Sequence, residues 1–131
     1  MKQLIPLEQI IKVVNGYIDV NKIFIINKID FIVGVSRGGL IPAAWLATRV
    51  DKPLITVYID RKDNVYLDRI NWIKNKRVLL IDDVIRSGKT SKKIIDLLMK
   101  LGIKSIDTFF VYKDKNNELI LPWDFYKYEQ R

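Results

Sequence analysis

The segment Val78-Leu79-Leu80-Ile81-Asp82-Asp83-Val84-Ile85-Arg86-Ser87-Gly88-Lys89-Thr90 leaves this chain few ways to fold. It reads as a buried strand ending in two adjacent carboxylates, then a loop of small polar residues, then a helix. A loop at a helix start offers unpaired backbone N–H groups to an anion, while carboxylates accept from hydroxyls or hold a cation. A ligand with a phosphate, a diol and a metal ion suits that set. Two carboxylates at the end of an apolar strand also repel one another unless something lies between them.

Strands and helices alternate along the rest of the chain. Pro6 starts a helix, with Leu7, Ile10, Ile11, Val14 and Ile18 at helical spacing. The apolar run Ile23–Ile26 follows, and Phe31–Val35 is a strand apolar on both faces, as in parallel sheets covered by helices. After the turn Ser36-Arg37-Gly38-Gly39, Leu40 to Val50 reads as a helix, broken by Asp51-Lys52-Pro53. Leu54–Ile59 is another buried strand. Asp60–Lys76 is charged and irregular, a hairpin or a mobile flap. Thr90–Leu101 is a helix with Gly102 as its C-cap, and Ile106–Tyr112 a further strand.

This order predicts a single α/β domain over residues 1–131, with a mainly parallel central sheet flanked by helices. Ligands of such sheets bind beyond the carboxyl ends of the strands. Both glycine-containing loops, Ser36–Gly39 and Arg86–Thr90, fall there and can share one ligand.

Missing residue types narrow the chemistry. The chain has no cysteine and no histidine, which excludes disulfides, thiol nucleophiles, imidazole catalysis and most transition-metal sites. The formal charge of +8 favours an anionic partner, but no run of lysine and arginine is long enough for a nucleic-acid arm. No stretch is apolar enough to span a membrane and Met1-Lys2-Gln3 opens no signal segment, so a cytoplasmic location is expected. Two pattern matches fail on chemistry. Gly34-Val35-Ser36-Arg37-Gly38 fits a nucleophile elbow but lacks a histidine base. Ser87-Gly88-Lys89-Thr90 looks like the end of a P-loop, yet Asp83 stands where that loop needs glycine.

The Asp-Asp stretch resembles the phosphoribosyl-pyrophosphate (PRPP) motif of type I phosphoribosyltransferases. Val33-Gly34-Val35-Ser36-Arg37-Gly38-Gly39-Leu40-Ile41-Pro42-Ala43 resembles the pyrophosphate loop of the bacterial xanthine-guanine enzymes. The resemblance implies the fold of that family with a short flap or hood. It also implies transfer of the phosphoribosyl group from PRPP to a nucleobase, with magnesium (Mg2+) as cofactor and pyrophosphate released. Asp82 and Asp83 would hold the ribose hydroxyls and magnesium, and Ser87, Gly88, Lys89 and Thr90 the 5′-phosphate. Ser36, Arg37 and Gly38 would grip the pyrophosphate through a non-proline cis peptide between Ser36 and Arg37. The excursion around Asp60–Arg69 would be the flap. Arg37, Asp83 and Arg86 are the candidate catalytic residues.

The likeness also implies a 6-oxopurine substrate, with Lys113 at the purine O6 and Trp123 of Pro122-Trp123-Asp124 either on the base or in the core or an interface. Such enzymes carry an aspartate proton acceptor where this chain has Arg86, and arginine stays protonated. Three explanations stand: another group or water takes the proton, the base is acidic, as orotate is, or the protein senses PRPP or nucleotide with little turnover. A homo-oligomer is expected, with Trp72, Trp123 and the C-terminal tyrosines as candidate interface residues.

Overall fold

The alternation of apolar strand and helix is realised over residues 2–124, which the computed structural model describes. In chain order the elements are β1 (Gln3–Leu4), α1 (Leu7–Lys28), β2 (Phe31–Val35), α2 (Leu40–Val50), β3 (Leu54–Ile59), β4 (Val65–Leu67), β5 (Arg77–Ile85), α3 (Lys89–Lys100), β6 (Ser105–Lys113) and β7 (Leu119–Ile120). The central sheet has the order β4-β3-β2-β5-β6. Its last four strands run parallel, and β4 folds back antiparallel on β3 as a hairpin. A separate two-stranded sheet pairs β1 with β7.

Side chains alternate across a strand, so β5 feeds two cores. Leu79 and Ile81 pack with Ile10, Val14 and Ile18 of α1 and Ala43 and Leu46 of α2. Val78 and Leu80 pack on the opposite face with Ile94 and Leu98 of α3. Both faces being covered is why Val78–Ile81 is apolar without interruption.

Helix α1 runs well past Ile18 and takes in Ile23–Ile26. Ile25, fully buried, follows Ile18 by two helical turns, whereas Ile23 is mostly exposed. A four-residue apolar run does not by itself distinguish strand from helix, and the longer 3.6-residue period decides it here. Gly102 follows α3 at φ +85°, the left-handed conformation that ends many helices. Among the described residues no helix is long and apolar enough to cross a membrane.

Asp30, at the exit of α1, ties that end of the sheet together. Its Oδ2 accepts from the backbone N–H and Nε of Arg77 at 2.8 and 3.1 Å, and its Oδ1 from Nη2 at 3.0 Å. The Arg77 side-chain hydrogen bonds, outweighing burial, pull the Asp30 carboxyl down to about 2. A depressed carboxyl stabilises the fold fully above its unfolded value near pH 4, and the effect fades as pH falls through the folded value. Solvent screens this partly exposed pair, so Asp30→Asn is expected to lose about 1 kcal/mol at neutral pH. Urea unfolding should show wild type and variant converging between about pH 4 and pH 2.

Candidate functional site

Strands β2 and β5 lie side by side, yet α2 leaves β2 toward one face and α3 leaves β5 toward the other. The diverging loops open a crevice beyond the strand ends, where ligands of open α/β sheets bind. A cavity of about 860 Å³ fills it. The β2–α2 loop contributes Ser36, Arg37 and Gly38; β5 contributes Asp82 and Asp83; the β5–α3 loop contributes Arg86, Ser87 and Gly88, and the first turn of α3 contributes Thr90.

β5 does not end at its aspartates but runs on to Ile85. Its pairing with β2 stops at Ile81 opposite Gly34, because β2 turns away after Val35, and β6 alone accompanies it further. The Asp83 N–H donates to Asp82 Oδ1 at 2.8 Å and the Val84 N–H to Asp83 Oδ1 at 2.7 Å. The indole Nε1 of Trp123 donates to Asp83 Oδ2 at 2.6 Å. Burial, reinforced by the neighbouring Asp83 carboxyl, holds Asp82 well above the usual carboxylate range.

The β2–α2 loop presses onto these carboxylates with its backbone. A Cβ on Gly38 would lie 2.0 Å from Asp83 Oδ2, and one on Gly39 would lie 2.6 Å from the Val35 carbonyl and 3.0 Å from Asp82 Cα. Neither position has room for a side chain. The Ser36–Arg37 peptide bond is cis, as the resemblance implied. On the other side Gly88, at φ +84°, leads into α3; as N-cap it supplies no side-chain cap, and Ser87 Oγ accepts only from the Lys89 N–H, at 3.3 Å. That leaves helix N–H groups for an anion.

A family model of the phosphoribosyl transferase domain matches residues 6–131. The chain belongs to this family. Adenine phosphoribosyltransferase of Campylobacter hominis is 26% identical over 113 residues, covering 72% of this chain and 62% of the relative. Orotate phosphoribosyltransferase of Fusobacterium nucleatum is 28% identical over 105 residues, covering 73% and 50%. The chain thus spans between half and two thirds of the length of these two relatives. Among solved structures, the purine phosphoribosyltransferase from Pyrococcus horikoshii aligns with a TM-score of 0.77 at 26% identity, covering 94% of this chain and 93% of that one.

Two lysines of the expected set stand outside the cavity wall of this phosphoribosyl transferase domain. Lys113 closes β6, exposed and paired with Ile85. Lys89 lines a separate groove between α3 and the β3–β4 turn, with Lys92 and Asp63 among its neighbours. Among the described residues no group of three or more histidine, cysteine or acidic side chains forms a metal-binding cluster.

Arg86 lines the cavity and is also held from behind. Its Nε donates to Asp114 Oδ2 at 3.1 Å and its Nη2 to the Leu119 carbonyl at 3.3 Å. Asp114 is buried and also accepts from the N–H groups of Glu118 at 2.8 Å and Leu119 at 3.1 Å. Burial acts to raise its pKa, but these N–H groups and Arg86 prevail and hold the carboxyl below the usual range. Arg86 therefore clamps the β5–α3 loop to the turn between β6 and β7.

Arg61, Phe110 and Asp124 also line the cavity and were not singled out from sequence. Phe110 follows core residue Phe109 on β6, so strand alternation turns it the other way; that signal was available. Arg61 sits at the start of the turn after β3, inside the expected flap, where no period marks it. Of the candidate interface residues, Trp72 is half-exposed with the Arg69 guanidinium 5.3 Å from its ring centre. Trp123 lines the cavity. Tyr126 and Tyr128 lie outside the described residues.

Proposed function

We propose that this domain transfers the 5-phosphoribosyl group of PRPP to a nucleobase and releases pyrophosphate. One observation carries the reading: the Asp82–Asp83 pair, the start of α3 and the Ser36–Gly38 loop converge on a single cavity. Each suits one part of PRPP. Ser87, Gly88, Thr90 and the first N–H groups of α3 hold the 5′-phosphate. Asp82 and Asp83 accept from the ribose hydroxyls. Ser36, Arg37 and the loop backbone hold the pyrophosphate, with Arg61 of the hairpin on the same cavity wall.

Magnesium fits this donor set. It binds through one or two carboxylates together with substrate phosphates, and Asp82 and Asp83 are two adjacent oxygen-donor carboxylates that repel without a cation. When bound, it offsets charge on the pyrophosphate. The chain's own part is to position C1′ beside the base and to present Arg37 and Arg61 to charge growing on the leaving group. A base nitrogen bonds to C1′ as the C1′–O bond breaks, the electron pair leaves with pyrophosphate, and the proton on that nitrogen passes to water.

We take the base to be a purine, a 6-oxopurine first. Phe110 and Trp123 put aromatic rings on the cavity wall, and the Pyrococcus horikoshii neighbour over nearly the whole chain is a purine enzyme. An acidic base such as orotate is less favoured, because the charge of Arg86 is already paired with Asp114. A panel of hypoxanthine, guanine, xanthine, adenine and orotate, each with PRPP and magnesium, tests this by pyrophosphate release. Release with a purine that stops on chelation is expected. Silence with every base alongside demonstrable PRPP binding would overturn the enzymatic reading.

A further inference from the structure

Trp123 stands where three segments of the cavity wall meet. Its Nε1 donates to Asp83 Oδ2 at 2.6 Å, while Asp83 Oδ1 accepts from the Val84 N–H at 2.7 Å. Each carboxylate oxygen thus has one donor within the protein, which fixes the plane of the group and leaves lone pairs for a ligand. A Cβ on Gly38 would lie 2.5 Å from the indole nitrogen, so the β2–α2 loop closes over the same bond.

The indole is itself held. It packs against the core shared by α1 and α2. The turn Pro122–Asp124 that carries it is closed by Asp124 N–H to the Leu121 carbonyl at 2.9 Å and by Leu121 N–H to Asp124 Oδ2 at 3.1 Å. Leu121 is fully buried. A ring kept only for stacking has no need of a carboxylate on its N–H. This N–H is spent on the aspartate that faces the cavity.

We propose that Trp123 is a positioning residue that acts through Asp83: its N–H fixes the carboxylate so that the free lone pairs face the ribose hydroxyls and magnesium of PRPP. The assignment rests on the reading of the cavity as a PRPP site. It separates the PRPP role of Trp123 from a role in stacking on the base.

Trp123→Phe keeps an aromatic ring and removes the donor, and Trp123→Leu removes both. Titration calorimetry with PRPP and magnesium, together with KM for PRPP and for the base, tests the assignment. Trp123→Phe is expected to weaken PRPP binding about tenfold while KM for the base stays within about twofold. Unchanged PRPP affinity in Trp123→Phe, with base KM raised only in Trp123→Leu, would overturn it in favour of stacking and leave the proposed function standing. Absence of PRPP binding by the wild type would overturn the proposed function and this assignment together. If Trp123→Phe does not fold, NMR of the wild type serves: the Trp123 indole N–H should exchange slowly with solvent and shift on adding PRPP and magnesium. A freely exchanging, unresponsive signal would overturn the assignment.

Discussion

Replacing Asp82 with asparagine is expected to stabilise the ligand-free protein and to lower sharply the proposed PRPP-dependent activity. Burial and the adjacent Asp83 carboxyl raise the Asp82 pKa in the folded state. For a raised carboxyl the sign is the reverse of that at Asp30. Its contribution favours folding below the unfolded value near pH 4 and is lost as the pH rises toward the folded value. At pH 8 an ionised Asp82 works against the fold. Asparagine keeps the shape without the charge, so Asp82→Asn is expected to gain about 1–2 kcal/mol at pH 8, shrinking toward zero near pH 4. Urea midpoints across that range measure it. The same change removes an acceptor for a ribose hydroxyl and half of the magnesium-fitting pair, with an expected loss of roughly 10²–10³ in kcat/KM. A variant less stable at pH 8 and still active would contradict both halves.

Arg86→Ala is expected to lose about 2–3 kcal/mol of stability. Asp114, with its side chain 4% exposed, would keep two backbone N–H donors but lose its cation. Removing one partner of a fully buried pair costs about 3–5 kcal/mol, and the figure is lower here because Arg86 is partly exposed. The substitution that sequence alone invites, Arg86→Asp to restore a proton acceptor, puts a second carboxylate against Asp114. It is expected to be less stable than Arg86→Ala, and the double variant Arg86→Ala/Asp114→Ala to recover part of the loss. Denaturant unfolding of the four proteins decides it. Arg86→Ala within about 0.5 kcal/mol of wild type would mean that the clamp contributes little.

The parts of the molecule that the sequence made legible are those set by local pattern. Val78–Thr90 carries strand, carboxylates, loop and helix start in one stretch, and the strands near Phe31, Leu54 and Ile106 lie within a residue or so of their apolar runs. What stayed hidden depends on distant pairs. β1 and β7 have two residues each, too few for any period, and they meet from opposite ends of the described chain. Asp114 is 28 residues from Arg86, and Trp123 is 40 from Asp83. No spacing rule joins such pairs, so the pairing of Arg86, a cavity-lining residue, with the buried Asp114 could not be read locally. Trp123 read as a ring for stacking, core or interface, because nothing local shows where its N–H goes.

Titration calorimetry of the wild-type protein with PRPP in the presence of magnesium tests the central claim most directly. Saturable binding at one site per chain is expected, lost when Asp82 and Asp83 are both replaced by asparagine. No binding by the wild type, or binding that survives the double replacement unchanged, would show that the crevice between β2 and β5 is not a PRPP site.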